Sequence, residues 1–186
     1  MRRNTRAMCE AAMMVTVAVM LDLLKEFLPG KLPSGGSLLN ISSLPIILFA
    51  VRHGKAWGAM AGLLFGALNY LFGYGIAIDW TTIICDYLLA FSLLGFGAGF
   101  FRNQKFAVYW GTILGCSFQF ITSYLIGVFV WGKYMPEQFL GQAMTSPWLY
   151  SFLYNIMWAL PNMAATLLAF AALWKPLKKY FHPITQ

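Results

Sequence analysis

The sequence predicts an all-α integral membrane protein, a bundle of six transmembrane helices with both termini in the cytoplasm. Three observations predict it. Sixty per cent of the 186 residues are hydrophobic and only ten per cent are charged, whereas soluble domains run near a quarter charged. A soluble fold this small could not hide so much apolar surface, but the outside of a membrane bundle can be as apolar as its inside. The apolar residues also fall into runs near the roughly 20 that a bilayer-spanning helix needs, and the basic residues between the runs alternate in density. Length fits a single membrane domain, 1–186.

The first span runs from about Ala7 to Leu28, after Arg2, Arg3 and Arg6. A basic start before an apolar run resembles a signal peptide. The run continues past a signal core and has no clear small-residue cleavage site, so it reads as a membrane helix. The second span, about Ser37 to Val51, is short and follows Pro33-Ser34-Gly35-Gly36. The third covers about Ala56 to Tyr74, the fourth Trp80 to Phe101, the fifth Ala107 to Trp131 and the sixth Trp148 to Trp174.

Charge tests this count. With the N-terminus inside, the cytoplasmic set is Arg2, Arg3, Arg6, Arg52, Lys55, Arg102, Lys105, Lys175, Lys178 and Lys179, and the outer set is Lys25, Lys31 and Lys133. Cytoplasmic connections carry the excess of Lys and Arg, so the asymmetry favours six spans. Gly58, Gly62 and Gly66 recur every four residues, as do Gly95 with Gly99 and Gly111 with Gly115. Small residues at that interval let helix backbones approach closely.

Polar residues inside apolar runs mark candidate sites, because they are costly there and face a cavity or a partner. Asp86 lies in the fourth span and Asn155 in the sixth. Both helices enter from outside, so the two sit one to two turns below the outer surface. Tyr70, Tyr74 and Trp131 come to a similar depth as helices three and five exit, and Gln119 and Ser123 lie deeper on helix five. Aromatic faces bind planar and cationic ligands, and a carboxylate nearby favours a positive ring. Trp80 and Trp148 read as an interfacial aromatic belt.

Several function classes are excluded. The net charge of +7 is scattered in short clusters, not gathered in a stripe for nucleic acid. Cys9, Cys85 and Cys116 show neither disulfide nor metal spacing. The run from Gly127 to Tyr134 has Tyr134 where a P-loop needs Ser or Thr and ends an apolar helix. The histidines, His53 in a cytoplasmic turn and His182 in the tail, cannot serve a nucleophile in the membrane. No metal, cofactor or catalytic site is expected.

Gly35-Gly36-Ser37, Leu44-Pro45-Ile46 through Arg52-His53-Gly54, Asp86-Tyr87-Leu88-Leu89-Ala90-Phe91, and Trp148-Leu149-Tyr150-Ser151 with Tyr154-Asn155 carry a family likeness. The chain resembles the substrate-binding (S) components of energy-coupling factor (ECF) vitamin transporters, most closely the thiamine-specific ones, over almost its whole length. The resemblance implies a multi-pass protein of a prokaryotic plasma membrane that captures a water-soluble vitamin and docks on a coupling protein with two ATPases. It places the pocket at Asp86, Tyr87, Trp131, Tyr150 and Asn155, with Phe65 as the aromatic of helix three. Tyr74, Gln119, Ser123 and Tyr154 join these by depth and neighbourhood. It also implies docking through small residues on helix one, at Ala12 and Thr16, the second being typically Ala. Ser123 stands where the family commonly has His, and Gln119 near a usual basic residue. Vitamin B6 or hydroxymethylpyrimidine therefore remains an alternative to thiamine, and a non-transporting membrane scaffold is a further one.

Overall fold

A computed structural model describes residues 3–27, 30, 32, 36–72, 77–102 and 104–177. The described residues form six helices: α1 (Arg3–Leu24), α2 (Ser43–His53), α3 (Lys55–Leu71), α4 (Trp80–Phe101), α5 (Ala107–Phe129) and α6 (Pro147–Leu177). Single 3₁₀ turns follow α1 (Lys25–Phe27) and α5 (Trp131–Tyr134). A two-stranded hairpin, Gln138–Phe139 with Gln142–Ala143, precedes α6. Four helices, α1, α4, α5 and α6, are long and apolar enough to cross a membrane. Large apolar side chains such as Met13, Leu63, Phe129 and Leu168 are exposed on the outside, as a lipid-facing surface requires.

The second span differs from expectation. Helix begins at Ser43 instead of Ser37, leaving 11 residues and a length of about 16 Å, half the hydrocarbon thickness. Residues 37–42 stay irregular, with bends and a turn, because local polar groups compete with helical bonding. The Ser42 N–H donates to Asn40 Oδ1 at 2.8 Å. Every residue from Leu44 to Arg52 is buried, so α2 is a core helix wrapped by the others, apolar all round as such helices are. At its cytoplasmic end Glu10 of α1 forms an ion pair with Arg52 at 2.7 Å and lies 3.2 Å from His53.

The glycine spacing has the packing role expected of it. A Cβ on Gly62 or Gly66 would collide with the carbonyls of Phe91 and Tyr87, and one on Gly95 with the carbonyl of Gly58. The backbones of α3 and α4 therefore touch. Gly111 and Gly115 let α5 approach Ala98 and Leu94 of α4 in the same way. Trp80 and Trp148 are exposed, as belt residues would be.

Candidate functional site

The outer half of the bundle encloses a cavity of about 200 Å³ bounded by residues of all six helices and of the segment before α2. Helix α4 supplies Asp86, Tyr87 and Phe91. Its start is fixed by a reciprocal cap. The Asp79 carboxylate accepts from the Thr82 N–H at 2.9 Å, and the Thr82 hydroxyl accepts from the Asp79 N–H at 3.2 Å. From Ile83 to Leu89 the helix widens to π geometry, with the Ala90 N–H reaching back five residues to the Cys85 carbonyl. Such insertions recur at functional sites, and this one carries Asp86 and Tyr87. The sequence reading, with one period for the whole span, could not foresee it.

Trp131, on the 3₁₀ turn after α5, donates its indole N–H to Asp86 Oδ2 at 3.0 Å. A carboxylate has about four lone-pair sites, and this is the one bond Asp86 accepts among the described residues. On α5, Cys116, Gln119, Ser123 and Gly127 face the cavity, spaced to lie on one helical face. Gly127 is required: a Cβ there would overlap the Ser151 hydroxyl, which donates to the Tyr124 carbonyl at 2.7 Å.

On α6, Tyr150 and Tyr154 are one turn apart, their ring centres 6.0 Å from each other. Phe139 of the hairpin packs edge-on against Tyr150 at 5.3 Å. The Tyr154 hydroxyl accepts from the Gly36 N–H at 3.3 Å. Asn155 is buried. Its amide donates to the Ser151 carbonyl at 2.8 Å, and its oxygen accepts from Trp158 Nε1 at 3.1 Å.

At another part of the wall stands a second carboxylate, Asp22 of α1, only 2% exposed. Its Oδ1 accepts from Asn40 Nδ2 at 2.7 Å and from the Ser42 hydroxyl at 3.4 Å. Its Oδ2 accepts from Lys25 Nζ and Asn69 Nδ2, both at 2.8 Å. Asn162 of α6 accepts from the Asn40 N–H at 2.7 Å and donates to the Ser37 carbonyl at 3.0 Å. Asp22, Lys25, Asn69, Trp158 and Asn162 all line the cavity and were missed in the sequence. The rule applied to Asp86 would have found Asp22, Asn69 and Asn162, which also interrupt apolar runs.

The structure thus gathers Asp86, Tyr87, Gln119, Ser123, Trp131, Tyr150, Tyr154 and Asn155 around one space. Phe65 is elsewhere. It is fully buried behind Phe91, the rings 4.8 Å apart and edge to face, and it is Phe91 that reaches the cavity. Tyr74 lies outside the described residues. Ala12 and Thr16 are exposed on α1, where the Thr16 hydroxyl donates to the Ala12 carbonyl at 2.8 Å. With its hydroxyl engaged, Thr16 can present a methyl outward, much as Ala does.

Comparison with known proteins decides the family. The family described as thiamine transporter protein (Thia_YuaJ) matches residues 8–182, nearly the whole chain. The chain belongs to this family. Among members of the thiamine transporter family, ThiT of Bacillus subtilis strain 168 is 26% identical over 165 residues, 82% of each chain. ThiT of Lacticaseibacillus paracasei is 28% identical over 132 residues, 63% of each. The solved structure of ThiT from Listeria monocytogenes superposes with a TM-score of 0.83, at 24% identity, over 98% of this chain and all of the other. That likeness establishes the helical membrane fold. The resemblance to substrate-binding components of vitamin transporters is therefore sound, and the protein is a membrane transport component, not an enzyme.

Proposed function

We propose that this chain captures thiamine at the outer face of the membrane. The observation that carries this reading is the charge balance of the cavity. Among the described residues three charged side chains line it, Asp22, Lys25 and Asp86, and the first two form an ion pair at 2.8 Å. One uncompensated carboxylate is left, Asp86. Thiamine carries one permanent positive charge on a flat thiazolium ring, and a charge held in such a site requires a partner. Trp131 engages Asp86 by its edge, so its ring face is not spent on that bond, and Tyr87, Tyr150 and Tyr154 add aromatic surface for stacking. Gln119, Ser123 and Asn155 offer polar groups to an aminopyrimidine.

In the same reading the chain hands its vitamin on as an S component, docked through the Ala12–Thr16 face of α1 on an ECF coupling protein with two ATPase subunits. Titration of the purified protein with thiamine should quench tryptophan fluorescence to saturation, since Trp131 and Trp158 line the cavity. The uncharged rings pyridoxine and hydroxymethylpyrimidine should compete at least about tenfold more weakly, the cost of leaving a charge-assisted contact unmade. Saturation by either of them without a response to thiamine overturns the assignment.

A further inference from the structure

Asp22 is a carboxylate with no acceptor capacity left. Two donors reach each oxygen, which fills the roughly four sites a carboxylate offers. A saturated, 2% exposed group cannot take up a ligand without breaking its own bonds. Its partners show what it does. Lys25 is on the turn that adjoins α1, Asn69 is on α3, and Asn40 and Ser42 belong to the irregular segment that leads into α2. That segment is one wall of the cavity, contributing Gly36, Ser37, Asn40 and Ser42.

The first part of the segment is also tied by backbone to the residues before it, the Leu32 N–H donating to the Gly36 carbonyl at 2.7 Å and the Leu38 N–H to the Gly30 carbonyl at 3.0 Å. The Asn40 N–H and the Ser37 carbonyl are bound to Asn162, and the Gly36 N–H to Tyr154. These bonds all lead to α6. Asp22 is the acceptor that binds the segment's side chains to α1 and, through Asn69, to α3. Side-chain bonds of this kind hold the later part of the segment, around Asn40 and Ser42, and irregular backbone held in this way opens readily once they are removed.

We infer that Asp22 is a positioning residue for vitamin retention: it holds the segment 36–42 closed as a wall of the cavity and does not itself touch the ligand. The inference deepens the thiamine reading, and half of its test is independent of that reading. Amide hydrogen exchange is measured on the ligand-free protein and on the Asp22→Ala and Asn40→Ala variants. Both substitutions should speed exchange across 36–42 by about tenfold or more while leaving 107–129 unchanged, the mark of local opening. In stopped-flow fluorescence, thiamine should dissociate about tenfold faster from each variant, with association within about threefold, since loss of such contacts appears in the off-rate. A general loss of structure would move exchange everywhere and would not produce that split.

Unchanged exchange at 36–42, or equal loosening of 107–129, overturns the inference, as does an off-rate equal to that of the parent. If Asp22→Ala does not fold, Asn40→Ala decides alone, because it leaves the carboxylate with Lys25 and Asn69. If the parent binds no thiamine, the ligand assignment falls and the exchange measurement still decides the role of Asp22.

Discussion

Two carboxylates stand in the same cavity wall and have opposite surroundings. Among the described residues, Asp22 is paired with Lys25 and receives four donors in all, whereas Asp86 receives one, from Trp131. Burying a charge is tolerated when its hydrogen bonds are complete, so Asp22 can belong to the architecture. Asp86 is left incomplete by the described residues, which under the proposed function suits it to a ligand. The difference teaches that a charge inside a bundle is read by its unmet valence more than by its presence.

Substitution can break or sharpen this contrast. The largest effect belongs to Asp22→Asn, which takes the Asp22 carboxylate away from the Lys25 ammonium. Loss of one partner of a buried pair costs about 3–5 kcal/mol, and a thermal melt in detergent should show the fall. Adding Lys25→Met should recover much of it; no recovery would mean that the ion pair is not what stabilises α1. Next comes Asp86→Asn. It should leave the melting temperature of the empty protein unchanged or raised, yet weaken thiamine by about 10–100-fold, the worth of a charge-assisted contact. A melting point lowered as far as that of Asp22→Asn would erase the distinction between the two.

Gly127→Ala is expected to follow, at about 1–3 kcal/mol for overpacking, through displacement of Ser151 and with it Asn155. A titration should report the weakened binding and a melt the lost stability. Phe139→Ala should be the mildest. Removing an aromatic edge contact is worth about 0.5–1.5 kcal/mol, so thiamine affinity should drop by roughly tenfold at most, with the melt little changed. A larger loss would place the hairpin among the residues that hold the ligand directly.

Much of this was legible in the sequence. The long spans, the glycine interval and the meeting of Asp86 with Trp131 all follow from apolar periodicity and from the cost of polar groups in lipid. Three features were not. Leu38, Leu39 and Ile41 made residues 37–42 look helical, because hydropathy is blind to the Asn40 and Ser42 side chains that turn backbone bonding aside. Asp22 can be paired with Lys25 three residues later from their spacing on one face, but nothing in the pattern shows that Asn40, Ser42 and Asn69 fill its remaining acceptor sites. Phe65 and Phe91 are both aromatic neighbours of the site, and periodicity cannot say which of two packed rings stands in front.

The glycine contact between α3 and α4 has a mechanical consequence. Carbonyls of Tyr87 and Phe91 rest against Gly66 and Gly62 with no side chain between them, so the ledge that bears Asp86 has no cushion on which to slide or roll. Whatever displacement frees the vitamin must carry these two helices as one plank, and the yielding part of the machine has to be sought on the opposite bank, where thin polar stitches stand in place of fused backbones.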